Sequence, residues 1–132
     1  IALPPIDVSK KLPDALCNAV KDLTIQVAVD AIICFTYSGY TAVRMAAYRP
    51  DALIFAFTGN QLLMHKLSLV WGIRALFFDA VKHHTTEAAI REATHILKNQ
   101  KLIENGQVVI FLGSTPILEK GKTNMIKLVE IS

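Results

Sequence analysis

Four short apolar runs, spaced so that a helix fits between each pair, constrain this chain more than any other feature. They are AIICFT (31–36), ALIFAFT (52–58), IRALFF (73–78) and QVVIFLG (107–113). The first has no polar alternation, which suits a strand buried on both faces. Helical spacing fills the gaps. Val43, Ala46 and Ala47 form one face before Pro50 stops the pattern. NQLLMHKLSLV (60–70) reads as a second helix. TTEAAIREATHILKN (85–99) carries Ala89, Ala93, Ile96 and Leu97 on one face, with Glu87 in the first turn, where a carboxylate favours the helix dipole. A further helix precedes the first strand, with Ala15, Leu16, Ala19, Val20 and Leu23 at helical spacing and Pro13 in its first turn. Such alternation predicts an α/β fold with a mostly parallel sheet and helices on both faces. NMIKLVEI (124–131) alternates in part, as an edge strand would. The 114–123 loop before it is too short for a crossover, so the fifth strand is expected antiparallel to the fourth. One domain is expected over 13–132, with 1–12 as a lead-in or linker.

Composition narrows the function classes. The chain has 132 residues, 52% hydrophobic and 19% charged, which supports one packed core and excludes a disordered chain. No apolar run approaches the roughly 18 residues of a membrane span. The N-terminal IALPPIDVSKKLPDAL places prolines and charges where a signal peptide needs an apolar core. A net charge of +3 is mild and unclustered, so nucleic-acid binding is not implied, while a small anionic ligand would suit it. Cys17 and Cys34 are too few for a disulfide framework and are expected as buried free thiols in a cytoplasmic protein. The first residue is Ile rather than Met, which suggests a piece of a longer or processed chain.

FTYSGYTAVRM (35–45) joins the end of a buried strand to the start of a helix. In open α/β sheets ligands bind beyond the carboxyl ends of strands. Free N–H groups at a helix start carry partial positive charge. Gly39 permits a tight turn and the close approach of an oxyanion. Thr36, Ser38 and Thr41 add hydroxyl donors, so the stretch reads either as a phosphate cradle or as a plain turn capped by Ser38. It lacks the spacing and the lysine of a Walker loop. A second loop, GSTPILEKGKTN (113–124), offers Lys120, Gly121, Lys122 and Thr123. It reads either as a lid over a phosphorylated ligand or as a solvated hairpin.

The remaining reactive residue types read as structural. His83 and His84 are adjacent and cannot meet one metal from a helix face, so no metal site is assigned. His65 and His95 fall in helical patterns at surface or partly packed positions. Trp71 is expected in core or subunit packing. Cys17 and Cys34 lack a partner group that would activate a thiol. No paired carboxylates and no Ser-His-Asp arrangement stand out, so no catalytic residue is assigned.

FTYSGYTAVRMAAYRPDALIFAFTGN resembles the C-terminal domain of pyruvate kinases. That family shows Thr-x-Ser-Gly-x-Thr-Ala, then Tyr-Arg-Pro, then an apolar strand ending in Thr. HKLSLVWGIRALFFD is similar to its next block, with Val70, Trp71 and Gly72 at the Trp-Gly step and Ala75 where Pro is common. LIENGQVVIFLGSTPILEKGKTNMIKLVEI resembles its closing block. The resemblance covers about 13–131. It implies a three-layer α/β/α sandwich with a five-stranded, mainly parallel sheet. It further implies a glycolytic parent enzyme, whose separate (β/α)₈ barrel transfers phosphate between phosphoenolpyruvate and ADP with Mg²⁺ and K⁺. No cofactor is implied for this chain. The family's C-terminal domain binds allosteric effectors, sugar phosphates or nucleotides, and contributes to a tetramer. Carried over by position, the effector phosphate falls to Thr36, Ser38, Gly39 and Thr41, with backbone from Tyr37 and Tyr40. Two departures stand out: Tyr37 occupies a position where bisphosphate-sensitive members can carry lysine, and Lys101 adjoins Gln100, near which those members place a base for a second phosphate. A subunit-contact domain without an effector is the alternative.

Overall fold

The structure, a computed structural model, describes residues 8–79, 85–113 and 125–132, and only the backbone of 8–11. Nine elements follow in order: α1 (Val8–Gln26), β1 (Ala31–Phe35), α2 (Tyr40–Ala47), β2 (Leu53–Thr58), α3 (Gln61–Leu67), β3 (Ile73–Phe77), α4 (Thr86–Asn99), β4 (Val108–Gly113) and β5 (Met125–Glu130). The sheet order is β3-β2-β1-β4-β5. The first four strands run parallel, and β5 pairs antiparallel with β4, Val108 opposite Glu130 and Gly113 opposite Met125. The expected α/β architecture and antiparallel last strand are both present.

Why the apolar runs show no polar alternation is plain from the packing. Ile33 and Phe35 of β1, Phe55 and Phe57 of β2, and Val109 and Phe111 of β4 face one core, which α4 covers with Ala89, Ile90, Ala93 and Leu97. The alternate residues Ile32, Cys34, Ile54, Ala56, Ile110 and Leu112 face a second core. There α1 contributes Cys17 and Val20, α2 contributes Ala42, Met45 and Ala46, and α3 contributes Leu67. Strands covered on both faces have no face left for polar side chains. Three layers result, with three helices on one side and one on the other among the described residues.

Two helix boundaries differ from the expected ones, those of α1 and α3. α1 starts at Val8, inside the stretch read as a lead-in, and Pro13 lies within it rather than in its first turn. A proline removes one i→i−4 bond, and Pro13 is buried, so packing outweighs the lost bond here. α3 stops at Leu67 instead of running to Val70. Asn60 caps its start by accepting the Leu63 N–H at 3.1 Å, and Ser68 ends it. The apolar residues beyond it therefore lie in a turn: Leu69 is 88% exposed and Trp71 74%. Trp71 is thus not a core residue of this chain; the Arg49 guanidinium lies 4.1 Å over its ring. α2 ends at Ala47, three residues before Pro50, and Arg49 turns the chain with φ 52°. Cys17 and Cys34 are buried free thiols, as expected. Burial pushes the Cys17 thiol up to about 11, with Asp14 adding to the shift, and burial raises Cys34 further. Neither thiol has nucleophilic character at neutral pH.

Candidate functional site

The order β3-β2-β1-β4 places a topological switch between β1 and β4. From β1 the chain crosses through α2 on one face toward β2. It reaches β4 from α4 on the opposite face. Loops at the carboxyl ends of such a strand pair diverge and leave a crevice. Residues 36–39 form the first of those loops.

Thr36 sets the turn. Its backbone N–H donates to the Phe57 carbonyl at 3.0 Å, continuing the β1–β2 ladder by one residue. Its Oγ1 accepts the Gly39 N–H at 2.8 Å. Ser38 Oγ accepts the Tyr40 N–H at a longer 3.3 Å. Gly39 is the N-cap residue of α2, with φ 85°, and no side chain makes the usual capping bond to the helix. The Val43 N–H takes the Gly39 carbonyl at 3.0 Å and closes the first helical turn. The plain-turn reading is therefore partly realised, but through Thr36 more than through Ser38. Thr41 is buried, while Tyr37 is 42% exposed and Tyr40 38%. These six residues run from the loop into the first turn of α2, with Ser38, Tyr37 and Tyr40 presented to solvent.

Residues distant in sequence hold this turn. Tyr40 Oη and Arg44 Nε each donate to Asp14 Oδ1 at 3.0 Å, tying two successive turns of α2 to α1. The hydrogen bond to Asp14 raises the Tyr40 phenol above its usual range. The Arg44 guanidinium also lies 5.6 Å over the Tyr48 ring. The first turn of α2 holds no acidic residue of its own, and the Asp14 carboxylate that Tyr40 contacts is paired with Arg44. No local pattern in the sequence marks Asp14 and Arg44 as partners. Tyr40 and Arg44 stand at i, i+4 spacing, which signals a shared helix face, but nothing local connects them to Asp14.

Of the proposed second cluster, only Lys101 falls within the described residues. Lys120, Gly121, Lys122 and Thr123 lie outside the described residues, as do His83 and His84. Lys101 precedes β4, whereas 36–41 follows β1, and the two strands are parallel. Lys101 therefore sits at the opposite edge of the sheet, about one strand length, or ~17 Å, away. Its backbone has a local role. The Leu102 N–H donates to the Leu97 carbonyl at 2.9 Å and the Lys101 N–H to the Lys98 carbonyl at 3.0 Å, the paired bonds of a Schellman ending. Lys101 occupies the left-handed position of that motif with φ 60°, where glycine is the unstrained residue. Lys101→Gly is expected to raise stability by up to about 1 kcal/mol, measured as a higher urea midpoint with unchanged m. No gain would mean that the lysine side chain offsets the backbone cost.

Among the described residues no group of three His, Cys, Asp or Glu could hold a metal ion. No helix of the described residues is long and apolar enough to cross a membrane.

Comparison with known proteins assigns the family. The family model for the pyruvate kinase alpha/beta domain matches residues 14–129. The chain is 34% identical over 115 residues to a pyruvate kinase of Lactobacillus delbrueckii subsp. bulgaricus, covering 87% of this chain and 19% of that one. It is 32% identical over 121 residues to a pyruvate kinase of Geobacillus stearothermophilus, covering 92% of this chain and 20% of that one. The fold is similar to a crystal structure of a Cryptosporidium parvum pyruvate kinase, with TM-score 0.79 and 24% identity over all of this chain and 24% of that one. The chain thus spans about a fifth of the length of the curated relatives it matches. With the matched domain, the sheet order and the ordered sequence blocks in agreement, the chain belongs to the pyruvate kinase family and corresponds to its alpha/beta domain.

Proposed function

We propose that this chain is the regulatory and assembly domain of a cytoplasmic pyruvate kinase and that residues 36–41 hold the phosphate of a sugar-phosphate or nucleotide effector. The observation that carries this reading is the turn itself. It stands at the switch point, glycine-shaped, with the exposed hydroxyl of Ser38 beside a helix start that has no acid of its own. Transfer of phosphate between phosphoenolpyruvate and ADP belongs to the barrel of the parent enzyme, with its Mg²⁺ and K⁺. This chain's residues bind and couple, and none is assigned to catalysis. Effector binding acts by population shift: an anion that favours one arrangement of domains or subunits changes substrate affinity at a distance.

Titrating the 132-residue chain with a sugar monophosphate, fructose bisphosphate and AMP, while following its melting temperature, tests the reading. A ligand present at about 100 times its Kd adds roughly 2.7 kcal/mol of stability. Ser38→Ala should reduce the shift. No shift at 10 mM of any of the three (roughly 100 times a 0.1 mM Kd), or a shift untouched by Ser38→Ala, overturns effector binding at this turn.

The subunit-contact reading has its own support. Ile25, Leu53, Leu69 and Trp71 are 61–88% exposed, and all lie at the amino-end edge of the parallel strands. That edge is opposite the 36–41 turn. One end of the sheet would take the effector while the other meets the barrel domain or a second copy. Sedimentation of the chain with and without ligand separates the two roles.

A further inference from the structure

A second cleft lies away from both of those edge features, between α4 and the end of β5. It has a volume of about 380 Å³ and is lined by Ile90, Arg91, Thr94, His95 and Lys98 of α4 together with residues 129–132. Its floor is apolar: Ile90 is 7% exposed and Ile131 3%, with Val129 packed against the same core. Its wall is basic. Arg91, His95 and Lys98 follow at i, i+4 and i+7, so they share one face of the helix. Among the described residues Arg91 makes no ion pair or hydrogen bond. Lys98 reaches across the cleft, and its Nζ donates to the Ser132 carbonyl at 3.1 Å. An ammonium has three N–H groups, so two stay available to another acceptor. His95 Nε2 is held by the Asn99 side-chain amide at 3.0 Å. The Thr94 hydroxyl donates to the Ile90 carbonyl at 2.8 Å, which leaves its oxygen as an acceptor only. Glu130 is the one carboxylate side chain among the described lining residues, and in the 132-residue chain the Ser132 main-chain carboxylate lies beside Lys98.

Apolar floor and cationic wall together select a ligand chemistry. A bare inorganic anion would engage the wall and leave the floor wet. A neutral apolar molecule would cover the floor and gain nothing from the wall. We propose that this cleft binds a small organic anion, one carboxylate or phosphate head on a compact apolar body, with Arg91 and Lys98 on the head and Ile90, Val129 and Ile131 under the body. The cleft shares no residue with the 36–41 turn, so the inference stands or falls without the effector reading.

Phenyl phosphate is the probe, followed by amide NMR shifts on the 132-residue chain, with inorganic phosphate and phenol as controls. Saturable shifts are expected at 90–98 and 129–132, with phenyl phosphate bound roughly fivefold or more tightly than inorganic phosphate. The Arg91→Gln, Lys98→Gln double variant should keep the dispersed spectrum and lose about as much affinity. Ser38→Ala should leave these shifts unchanged, while any response at 36–41 reports on the other site. The proposal is overturned by an absence of saturable shifts at α4 and β5, by equal binding of phenyl and inorganic phosphate, or by a double variant that binds as well as the parent.

Discussion

Gly39→Ala should lower the stability of the chain by about 2–4 kcal/mol. Two costs add. A non-glycine residue at φ 85° pays roughly 1–2 kcal/mol for left-handed backbone. A methyl group at this position would also stand 2.9 Å from Leu63 Cδ1 and 3.2 Å from Leu67 Cδ2. Leu67 is 2% exposed and packs with Met45 and Ala46 in the core beneath α1, α2 and α3, so it has little room to retreat. Overpacking of such a site costs typically about 1–3 kcal/mol. Urea denaturation of the two proteins measures the difference. A loss under about 1 kcal/mol would show that Leu63, which is only partly buried, moves aside and that the backbone relaxes with it. Ser38→Gly is the companion variant. It removes one long hydrogen bond to the Tyr40 N–H and should cost far less.

The two halves of that argument differ in how far the sequence reveals them. That position 39 needs glycine is legible locally: small hydroxyl residues around a glycine, between a buried strand and a helical pattern, mark a turn with left-handed backbone. That Leu63 leans on it is not, because 24 residues and a whole strand separate them. The same division runs through the fold. Strand and helix order, parallel pairing and the antiparallel last strand follow from run lengths and loop lengths alone. Helix ends are less legible. Leu69, Val70 and Trp71 continue an apolar pattern past Leu67, yet only Val70 packs on the core, while Leu69 and Trp71 lie exposed in a turn. Pro13 reads as a start signal because prolines are favoured there, yet it lies buried inside α1. Lys101 adjoins in sequence a family position for a second phosphate. The parallel pairing of β1 and β4 sets it at the other edge.

Phe111→Ala should be the most damaging single substitution of those considered, costing about 3–5 kcal/mol. Phe111 is fully buried on β4, the strand next to β1 at the centre of the sheet. Its ring stacks on Phe35 at 6.1 Å and 12°. Phe35 in turn meets Phe57 at 5.8 Å and Phe78 at 5.3 Å, so one aromatic cluster joins β1, β2, β4 and the end of β3. Alanine would open a cavity in the layer that α4 covers, where neighbours on four strands are fixed by the ladder and cannot close it. At roughly 3–5 °C per kcal/mol for a chain of this size, the melting temperature should fall by about 10–20 °C. Phe111→Leu, which refills much of the space, should lose clearly less. The substitution also reaches the site. Phe35 is the last residue of β1 and directly precedes Thr36, whose two hydrogen bonds shape the anion turn. A loosened Phe35 should therefore speed amide hydrogen exchange at Thr36 and Gly39 more than at α1, which packs on the opposite face through Cys17 and Val20. Equal acceleration at Cys17, Val20 and Gly39 would show instead that the two cores open as one unit and that the turn has no privileged link to the aromatic layer.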